Sequence, residues 1–319
     1  MKRYLITGGA GFIGSAITNK LLQTNYSVRV VDNEFRGNKI SIKKSPRVEF
    51  IKSDIRDVKK ITEACKNIDA IIHLAYINGT KYFYENPDLV LEVGVKGMLS
   101  VLEGAKKNNV KELYLASSSE VYQTPSIIPT PETIPYSIPD PLNPRYSYAG
   151  GKIISEMMSL FIGEKIFEKV CIFRPHNVYG PNMGTEHVIP ELIKKILLAK
   201  KTTLKNVTLP IQGDGTQTRS FIYIDDFVDA IMILLEKAKT KEIYNIGTPD
   251  EISINELISE LEKIIDIKIQ VIHEKAKSGA TLRRCPDIAK IKKLGFRPKT
   301  QLFTGLQNTY LWYNKNLNI

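Results

Sequence analysis

Residues 4–14 of this 319-residue chain read Tyr-Leu-Ile-Thr-Gly-Gly-Ala-Gly-Phe-Ile-Gly, and a helical pattern follows from Ile13 to Leu22. A short apolar strand therefore passes through a glycine turn directly into a helix. Glycine permits that tight turn and lets the backbone approach a pyrophosphate, which the free N–H groups of the helix N-terminus stabilise. The pattern predicts a dinucleotide site at this turn, formed by Gly8, Gly11, Phe12, Ile13 and Gly14.

A second strand, Ser27–Val31, is followed by Asp32, eighteen residues after Gly14. An acidic side chain at this place accepts hydrogen bonds from the ribose diol of an adenosine, which favours NAD. The 2′-phosphate of NADP would be repelled by Asp32 and Glu34, although the neighbouring Arg36 leaves the NADP alternative open.

Further cofactor contacts are predicted at the carboxyl ends of the strands, where doubly wound sheets bind their ligands. Two residues there have a structural alternative: Asp54 alternatively caps the helix near Asp57, and His73 is alternatively a hydrogen-bonded core histidine. The predicted contacts beyond the glycine turn are Asp32, Asn33, Asp54, Ile55, Leu74 and Ala75.

Six short β-branched runs alternate with helical patterns from residue 3 to about residue 175, which indicates a parallel sheet with helical crossovers. We therefore predict an α/β fold with a doubly wound parallel-sheet Rossmann domain over residues 1–176 and return segments near 212–246. A smaller α/β lobe over residues 177–319 is predicted to bind substrate.

Between Pro125 and Pro144, seven of twenty residues are proline, so we predict an extended loop, either a lid or a surface-packed segment.

The composition excludes several classes of protein. The chain is 43 % hydrophobic, and its formal net charge of +11 comes from dispersed lysines without aromatic interleaving, so no nucleic-acid partner is expected. No apolar run approaches the roughly 18–20 residues of a membrane span, and the N-terminus lacks a signal-peptide pattern. We expect no membrane partner and a cytoplasmic location. The widely spaced Cys65, Cys171 and Cys285 indicate reduced core thiols, with no disulfide framework or metal site.

The catalytic residues are predicted at the end of the fifth strand and on the helix after the proline-rich loop. Tyr148 and Lys152 are four residues apart, so a helix places them on one face, where the ammonium lowers the tyrosine pKa from about 10. This makes Tyr148 a general base. Tyr148 and Lys152 are also predicted to contact the cofactor, with Lys152 at the nicotinamide ribose. Ser118 is predicted to hold the substrate hydroxyl while a hydride leaves the same carbon for a nicotinamide.

With these motifs in place, the chain resembles the extended short-chain dehydrogenases/reductases of the NAD-dependent epimerase/dehydratase family, which act on nucleoside-diphosphate sugars. The resemblance covers nearly the full length and includes the segments RPHNVYGP (174–181), GDGTQTRSFI (213–222) and RRCPD (283–287). It implies sugar-diphosphate contacts from Asn177 and Ser119. It also implies phosphate contacts from Arg219 and from one of Arg283 or Arg284, whose guanidinium groups match phosphate oxygens.

The family resemblance implies a first step in which NAD oxidises a sugar hydroxyl at C4 to a transient ketone. Our first hypothesis for the outcome is a nucleotide-sugar 4-epimerase in surface-glycan biosynthesis. Glu120 leaves alternatives open, because a carboxylate near C5 suits a 4,6-dehydratase or a sugar-acid decarboxylase, and release of the ketone gives a 4-dehydrogenase. A non-enzymatic NAD-binding regulator is a remote alternative, against which the Tyr148 and Lys152 pair argues.

The resemblance also implies a homodimer built on the helices near Leu89–Ala105 and Lys152–Glu164. The apolar residues that support it face either a second copy or the sheet: Leu91, Val95, Met98, Met157 and Leu160.

Three departures from the family pattern lie near the predicted nicotinamide and sugar. Residues 94–98 read Gly-Val-Lys-Gly-Met where the family often has Asn-Val-x-Gly-Thr, which removes a polar side chain. Gln123 replaces a usual glycine, and Tyr76 replaces a small residue. These changes bear on which reaction follows C4 oxidation and leave the predicted fold and cofactor unaffected.

Overall fold

A computed structural model describes residues 1–201, 206–275, 279 and 281–317. The strands within these ranges are β1 (Arg3–Thr7), β2 (Ser27–Asp32), β3 (Val48–Lys52), β4 (Ala70–His73), β5 (Glu112–Ala116), β6 (Lys169–Pro175), β7 (Val178–Tyr179), β8 (Asn206–Gln212), β9 (Thr218–Ser220), β10 (Ile222–Tyr223), β11 (Glu242–Ile246), β12 (Glu251–Ser253), β13 (Lys268–Glu274) and β14 (Arg283–Arg284). The helices are α1 (Phe12–Leu21), α2 (Val58–Ala64), α3 (Thr80–Glu85), α4 (Pro87–Lys107), α5 (Ser147–Phe161), α6 (Val188–Lys200), α7 (Ile224–Lys237), α8 (Ile254–Ile265), α9 (Ala289–Lys293) and α10 (Leu302–Asn316).

Seven strands form one parallel sheet in the order β11-β6-β5-β4-β1-β2-β3, which confirms the predicted doubly wound fold. All four residues of β4 are buried, because helices cover both faces of the sheet. The strand order reverses between β1 and β4, where Thr7 pairs with His73. A crevice at the carboxyl ends of these two strands is therefore fixed by the topology.

Two apolar layers enclose this sheet. Ile17 of α1 and Phe227 of α7 pack on one face, and Ile61 of α2 and Val101 of α4 pack on the other, all fully buried. Burial of a side chain of this size stabilises the fold by about 1.5–3 kcal/mol. The sheet is therefore a rigid base for the residues at its carboxyl edge.

The second half of the chain adds small sheets at the crevice. Strands β12, β9 and β14 form one of them, and β8 pairs with β13. Strand β11 returns to the large sheet beside β6. Two of the elements that were not predicted from the sequence are α3, which is only six residues long, and β13, which is mostly exposed.

The proline-rich segment 125–144 is a loop, as predicted, but it contains bends and turns instead of running fully extended, and the core holds it at several points. The Thr130 amide donates to the Cys285 carbonyl at 2.8 Å, and the Asp287 amide donates to the Thr130 carbonyl at 2.9 Å. The Asn245 amide donates to the Glu132 carboxylate at 2.9 Å. These contacts favour a packed segment over a mobile lid.

In the ranges that the structure describes, no helix is both long and apolar enough to cross a bilayer. Cys65, Cys171 and Cys285 are each buried with a free thiol.

Candidate functional site

A crevice of about 1550 Å³ opens at the carboxyl ends of the central strands and is lined by the glycine turn. Gly8 has a φ of +73°, and a Cβ there would lie 2.8 Å from the Cα of Ala75. A Cβ on Gly14 would overlap the Gly8 carbonyl. Gly11 is the N-cap residue of helix α1 and provides no side-chain cap, and the first turn of the helix contains no acidic residue. Its N–H groups, including those of Phe12 and Ile13, therefore fit the pyrophosphate of a dinucleotide.

Asp32 lies at the end of β2 on the wall of this crevice. Its carboxylate accepts the amides of Ala10 at 2.9 Å and Glu34 at 2.7 Å, which fixes its orientation. Arg36 is turned to Glu186 at 3.1 Å and to the Asn78 carbonyl. Because the Arg36 guanidinium is bound elsewhere, the site fits the ribose diol of NAD better than a 2′-phosphate.

The predicted contacts from neighbouring strands also line the crevice: Asn33, Asp54, Ile55, Leu74 and Ala75. Arg56 binds the Asp54 carboxylate through two nitrogen atoms, each at 2.9 Å, and this hydrogen bonding lowers the pKa of Asp54. Asp54 does not cap α2, because Asp57 performs that role by accepting the Lys60 amide at 3.1 Å.

His73 is a core residue. Its Nδ1 lies 2.7 Å from the hydroxyl of Thr7, and burial lowers its pKa to about 3. The structure therefore supports the alternative of a neutral, hydrogen-bonded histidine beneath the crevice.

Helix α5 places Tyr148 and Lys152 on one face at the floor of the crevice, beside Ser118 at the end of β5. The Lys152 ammonium donates to the Ala116 carbonyl at 2.6 Å, and its Nζ lies 5.7 Å from the centre of the Tyr148 ring. Burial lowers the pKa of Lys152 to about 7, against the opposing charge of Glu156. A lysine with this pKa can take up and release a proton near neutrality.

Tyr148 is buried under aromatic rings. Phe83 of α3 stacks on it with ring centres 4.7 Å apart, and Tyr76 meets it edge-on at 5.1 Å. Burial raises the pKa of Tyr148, and a hydrogen bond with Ser118 opposes this. The predicted lowering of the Tyr148 pKa by Lys152 is therefore not observed, because burial has the larger effect on this pKa. Sequence reasoning missed Phe83, whose short helix has too little periodicity to detect.

Glu120 lies in the short 3₁₀ helix that follows β5, and two arginines bind it. Its carboxylate is 2.7 Å from Nη1 of Arg284 and 3.7 Å from Nη2 of Arg145. Burial alone would raise the pKa of Glu120, but the two guanidinium groups lower it to about 2. Glu120 is therefore a fixed carboxylate and not a proton donor at neutral pH.

Arg219 completes an arginine cluster, which we define as Arg145, Arg219 and Arg284 around Glu120. Arg219 donates to the Thr218 carbonyl at 2.7 Å, and burial together with the charge of Arg284 lowers its pKa to about 10. The Nε atoms of Arg145 and Arg284 are buried without an acceptor among the residues described. Three cations against one carboxylate leave an excess of positive charge at the crevice. Sequence reasoning missed Arg145, although it stands three residues before Tyr148.

The other predicted substrate residues are distributed unequally. Arg284 lines the crevice, whereas the side chain of Arg283 is 57 % exposed and is bound to Glu251 at 2.7 Å. Ser119 and Asn177 also line the crevice, and the Asn177 amide donates to the Ser220 carbonyl at 2.8 Å. Of the two alternatives for an arginine contact, the structure thus favours Arg284.

Gln123 occupies a backbone conformation with φ of +50°, which explains why glycine is usual there. Its side-chain amide donates to the Glu120 carbonyl at 2.6 Å. This departure from the family pattern therefore helps to fix the turn that carries Glu120.

Across the described residues, no group of three or more His, Cys, Asp or Glu side chains is arranged to hold a metal ion.

Comparison with known proteins gives one family and several activities. The model of the NAD dependent epimerase/dehydratase family matches residues 4–247. A putative UDP-glucose 4-epimerase of Methanocaldococcus jannaschii is 34 % identical over 318 residues, 98 % of each chain. UDP-glucuronic acid decarboxylase 5 of Arabidopsis thaliana is 35 % identical over 311 residues, 95 % of this chain and 87 % of that protein. The dTDP-glucose 4,6-dehydratase of Streptomyces venezuelae, solved with NAD bound, has a TM-score of 0.87 at 29 % identity, covering 98 % of this chain and 97 % of that one.

Proposed function

Because the chain belongs to the NAD-dependent epimerase/dehydratase family, we propose that it oxidises C4 of a nucleoside-diphosphate hexuronate and that the 4-keto sugar then loses CO2. The observation that carries this proposal is the arginine cluster. Its excess positive charge lies beside Ser118 and Tyr148, where a carboxylate on the sugar would be matched.

The first step uses the residues at the floor of the crevice. Tyr148, as a phenolate, removes the proton of the C4 hydroxyl while Ser118 holds that hydroxyl in place. The Lys152 ammonium stabilises the phenolate. NAD would be held by the glycine turn and Asp32, where it would supply the hydride acceptor for C4 and, once reduced, the hydride donor.

The second step follows from the ketone. With C4 oxidised, the C6 carboxylate is that of a β-keto acid, so the C5–C6 bond breaks, CO2 leaves, and its electron pair forms the C4–C5 enolate. A proton from water is then added at C5, and Tyr148 returns its proton to O4 as C4 regains the hydride. Arg284 and Arg145 orient the carboxylate before it leaves, and Glu120 keeps those guanidinium groups aligned.

Two considerations support this proposal over the dehydratase and epimerase hypotheses. A 4,6-dehydratase needs a base for the C5 proton and an acid for the leaving hydroxyl, and a Glu120 carboxylate of pKa about 2 is a weak base with no proton to give. A 4-epimerase acting on a neutral hexose would offer these arginines only the diphosphate, whereas we assign Arg284 and Arg145 to the sugar carboxylate and leave the phosphate contact that the family resemblance implies to Arg219.

The test is to incubate the protein and NAD with UDP-, GDP- and dTDP-linked hexoses and hexuronates in deuterated water. We expect CO2 and a nucleotide pentose with one deuterium at C5 from a hexuronate, and no product from neutral hexoses. Tyr148→Phe should reduce the rate by about 10²–10⁴-fold with the fold and NAD binding intact. A C4-inverted hexose without deuterium would instead support the 4-epimerase hypothesis, and a ketone from a neutral hexose would support a dehydratase or dehydrogenase.

We also propose that two copies of the chain pair through α4 and α5. These helices pack side by side and expose apolar side chains, among which Met157 is 46 % and Phe161 62 % exposed. Met98, also considered for this face, is instead fully buried against the core. Sedimentation of the wild type should show a dimer, and Phe161→Asp should shift it to monomer. A wild type that sediments as a monomer at micromolar concentration would contradict the pairing.

A further inference from the structure

Tyr76 lies in a slot between two helices that only glycine leaves open. A Cβ on Gly94 of α4 would overlap the hydroxyl and Cζ of Tyr76, and one on Gly151 of α5 would overlap the same hydroxyl. The hydroxyl is buried without an acceptor among the described residues. A hydrogen bond therefore does not account for the position of the ring, whereas the two glycines do.

The face of this ring covers the ammonium of Lys152. Nζ lies 4.1 Å from the ring centre, and Lys152 is 3 % exposed. One of its three N–H groups donates to Ala116, and the Tyr76 ring is nearer to the charge than the Tyr148 ring, whose centre is 5.7 Å away. The edge of the same ring meets Tyr148 at 5.1 Å between ring centres.

We propose that Tyr76 is a positioning residue, whose ring face holds the Lys152 ammonium charged and next to Tyr148, in the slot that Gly94 and Gly151 provide. The proposal depends on the proposed function only for the identity of the step that Lys152 serves. It also accounts for two departures from the family pattern together, since the large residue at 76 occupies space that a side chain at 94 would fill.

The ionisable groups that face Lys152 come from three directions. Tyr148 and Glu156 belong to its own helix, and Glu156 stabilises the charged form. His73 of β4 is buried and neutral. Tyr76 itself approaches from the loop after β4. Helix α4 contributes Gly94, which has no ionisable side chain. Loss of the Tyr76 ring therefore removes a stabilising contact that none of these groups replaces.

The experiment compares Tyr76→Leu, which keeps apolar bulk without a π face, with Tyr76→Phe, which keeps the face. Protein with ¹⁵N-labelled lysine side chains is titrated by NMR, and the Lys152 ammonium signal is assigned from its loss in Lys152→Arg. We expect the pKa of Lys152 to fall by about one unit in Tyr76→Leu and to be retained in Tyr76→Phe. The high-pH limb of the rate profile on the nucleotide sugar should move to lower pH in the leucine variant alone.

A second pair of variants tests the slot without any activity measurement. Gly151→Ala should lower the melting temperature, because the new Cβ collides with the Tyr76 hydroxyl. The same Cβ would lie 3.3 Å from Cζ of the ring, so the collision is with the hydroxyl and not with the ring. Removing the hydroxyl should therefore restore stability, and Gly151→Ala with Tyr76→Phe is expected to melt at or above the wild-type temperature.

Folded Phe and Leu variants with equal Lys152 pKa values would overturn the proposal. An equal effect of Gly151→Ala with and without the hydroxyl would also overturn it. A wild type that turns over no nucleotide sugar would contradict the proposed function and leave the NMR and melting results as direct tests of Tyr76.

Discussion

Glu156 and Glu120 are both ion-paired with arginine, but their surroundings differ. Glu156 is fully buried and binds Nε and Nη2 of Arg174 at 2.9 and 2.6 Å, together with the Tyr136 hydroxyl at 2.9 Å. Arg174 directs its remaining nitrogen to the Tyr122 hydroxyl at 2.6 Å. One carboxylate thus meets one guanidinium, and each is surrounded by hydrogen-bond partners.

Glu120 borders the crevice and faces more positive charge than it neutralises. Arg284 and Arg145 both bind it, Arg219 adds a third guanidinium, and two Nε atoms have no acceptor in the described part of the chain. Charge balance therefore distinguishes an ion pair that supports the fold from a cluster that is ready to bind an anion. The following predictions test that distinction.

The largest effect is expected from the balanced pair. Arg174→Met leaves the buried carboxylate of Glu156 without its cation, which should cost about 3–5 kcal/mol of unfolding free energy. Urea denaturation measures this loss. Combining Arg174→Met with Glu156→Gln should recover part of the stability, because no unpaired charge then stays buried. A single variant as stable as the wild type would remove the distinction.

Glu120→Gln should show a pH-dependent loss of stability. The folded-state pKa of Glu120 lies at about 2, below its ordinary 4.5, so its ion pairs stabilise the fold above pH 4.5 and lose that effect as the pH falls toward 2. At pH 7 the variant should be less stable by on the order of 3 kcal/mol. Chemical denaturation at pH 7, 5 and 3.5 should show the gap narrowing only below pH 4.5. A gap independent of pH would contradict the ion-pair explanation.

Arg284→Met should affect the reaction more than the fold. Since Glu120 retains Arg145, the fold is expected to survive, and kcat/KM for the hexuronate should fall by about 100-fold through loss of a charged contact. Steady-state kinetics at fixed NAD measures this. A melting temperature that falls in parallel with activity would instead place Arg284 with the structural pair.

The smallest effect is expected from the adjacent residue. Arg283→Met removes an exposed ion pair with Glu251 and should change neither the melting temperature nor kcat/KM measurably. It is the matched control for Arg284→Met, because both changes remove a guanidinium from β14. A comparable loss of activity in Arg283→Met would show that distance from the crevice does not separate the two residues.

The sequence predicted the large sheet well because its signals are local. Strands Val48–Lys52 and Glu112–Ala116 are two of the six short runs predicted before residue 175, since short apolar runs flanked by helical periods have few alternatives. Helix α3 was missed because six residues carry too little periodicity. The proline-rich segment was predicted to be extended, but its anchors at Thr130 and Glu132 are contacts with distant parts of the chain.

The candidate site divides in the same way. Short-range patterns predicted the dinucleotide site and the general base. These patterns are the glycine turn, Asp32 and the spacing between Tyr148 and Lys152. The partners of Glu120 are 25 and 164 residues away along the chain, and the slot for Tyr76 is made by two different helices. These contacts could be seen only in the tertiary structure, and they set the charge at the sugar end of the crevice. The reason is that burial and long-range electrostatics depend on which distant segments the fold brings together.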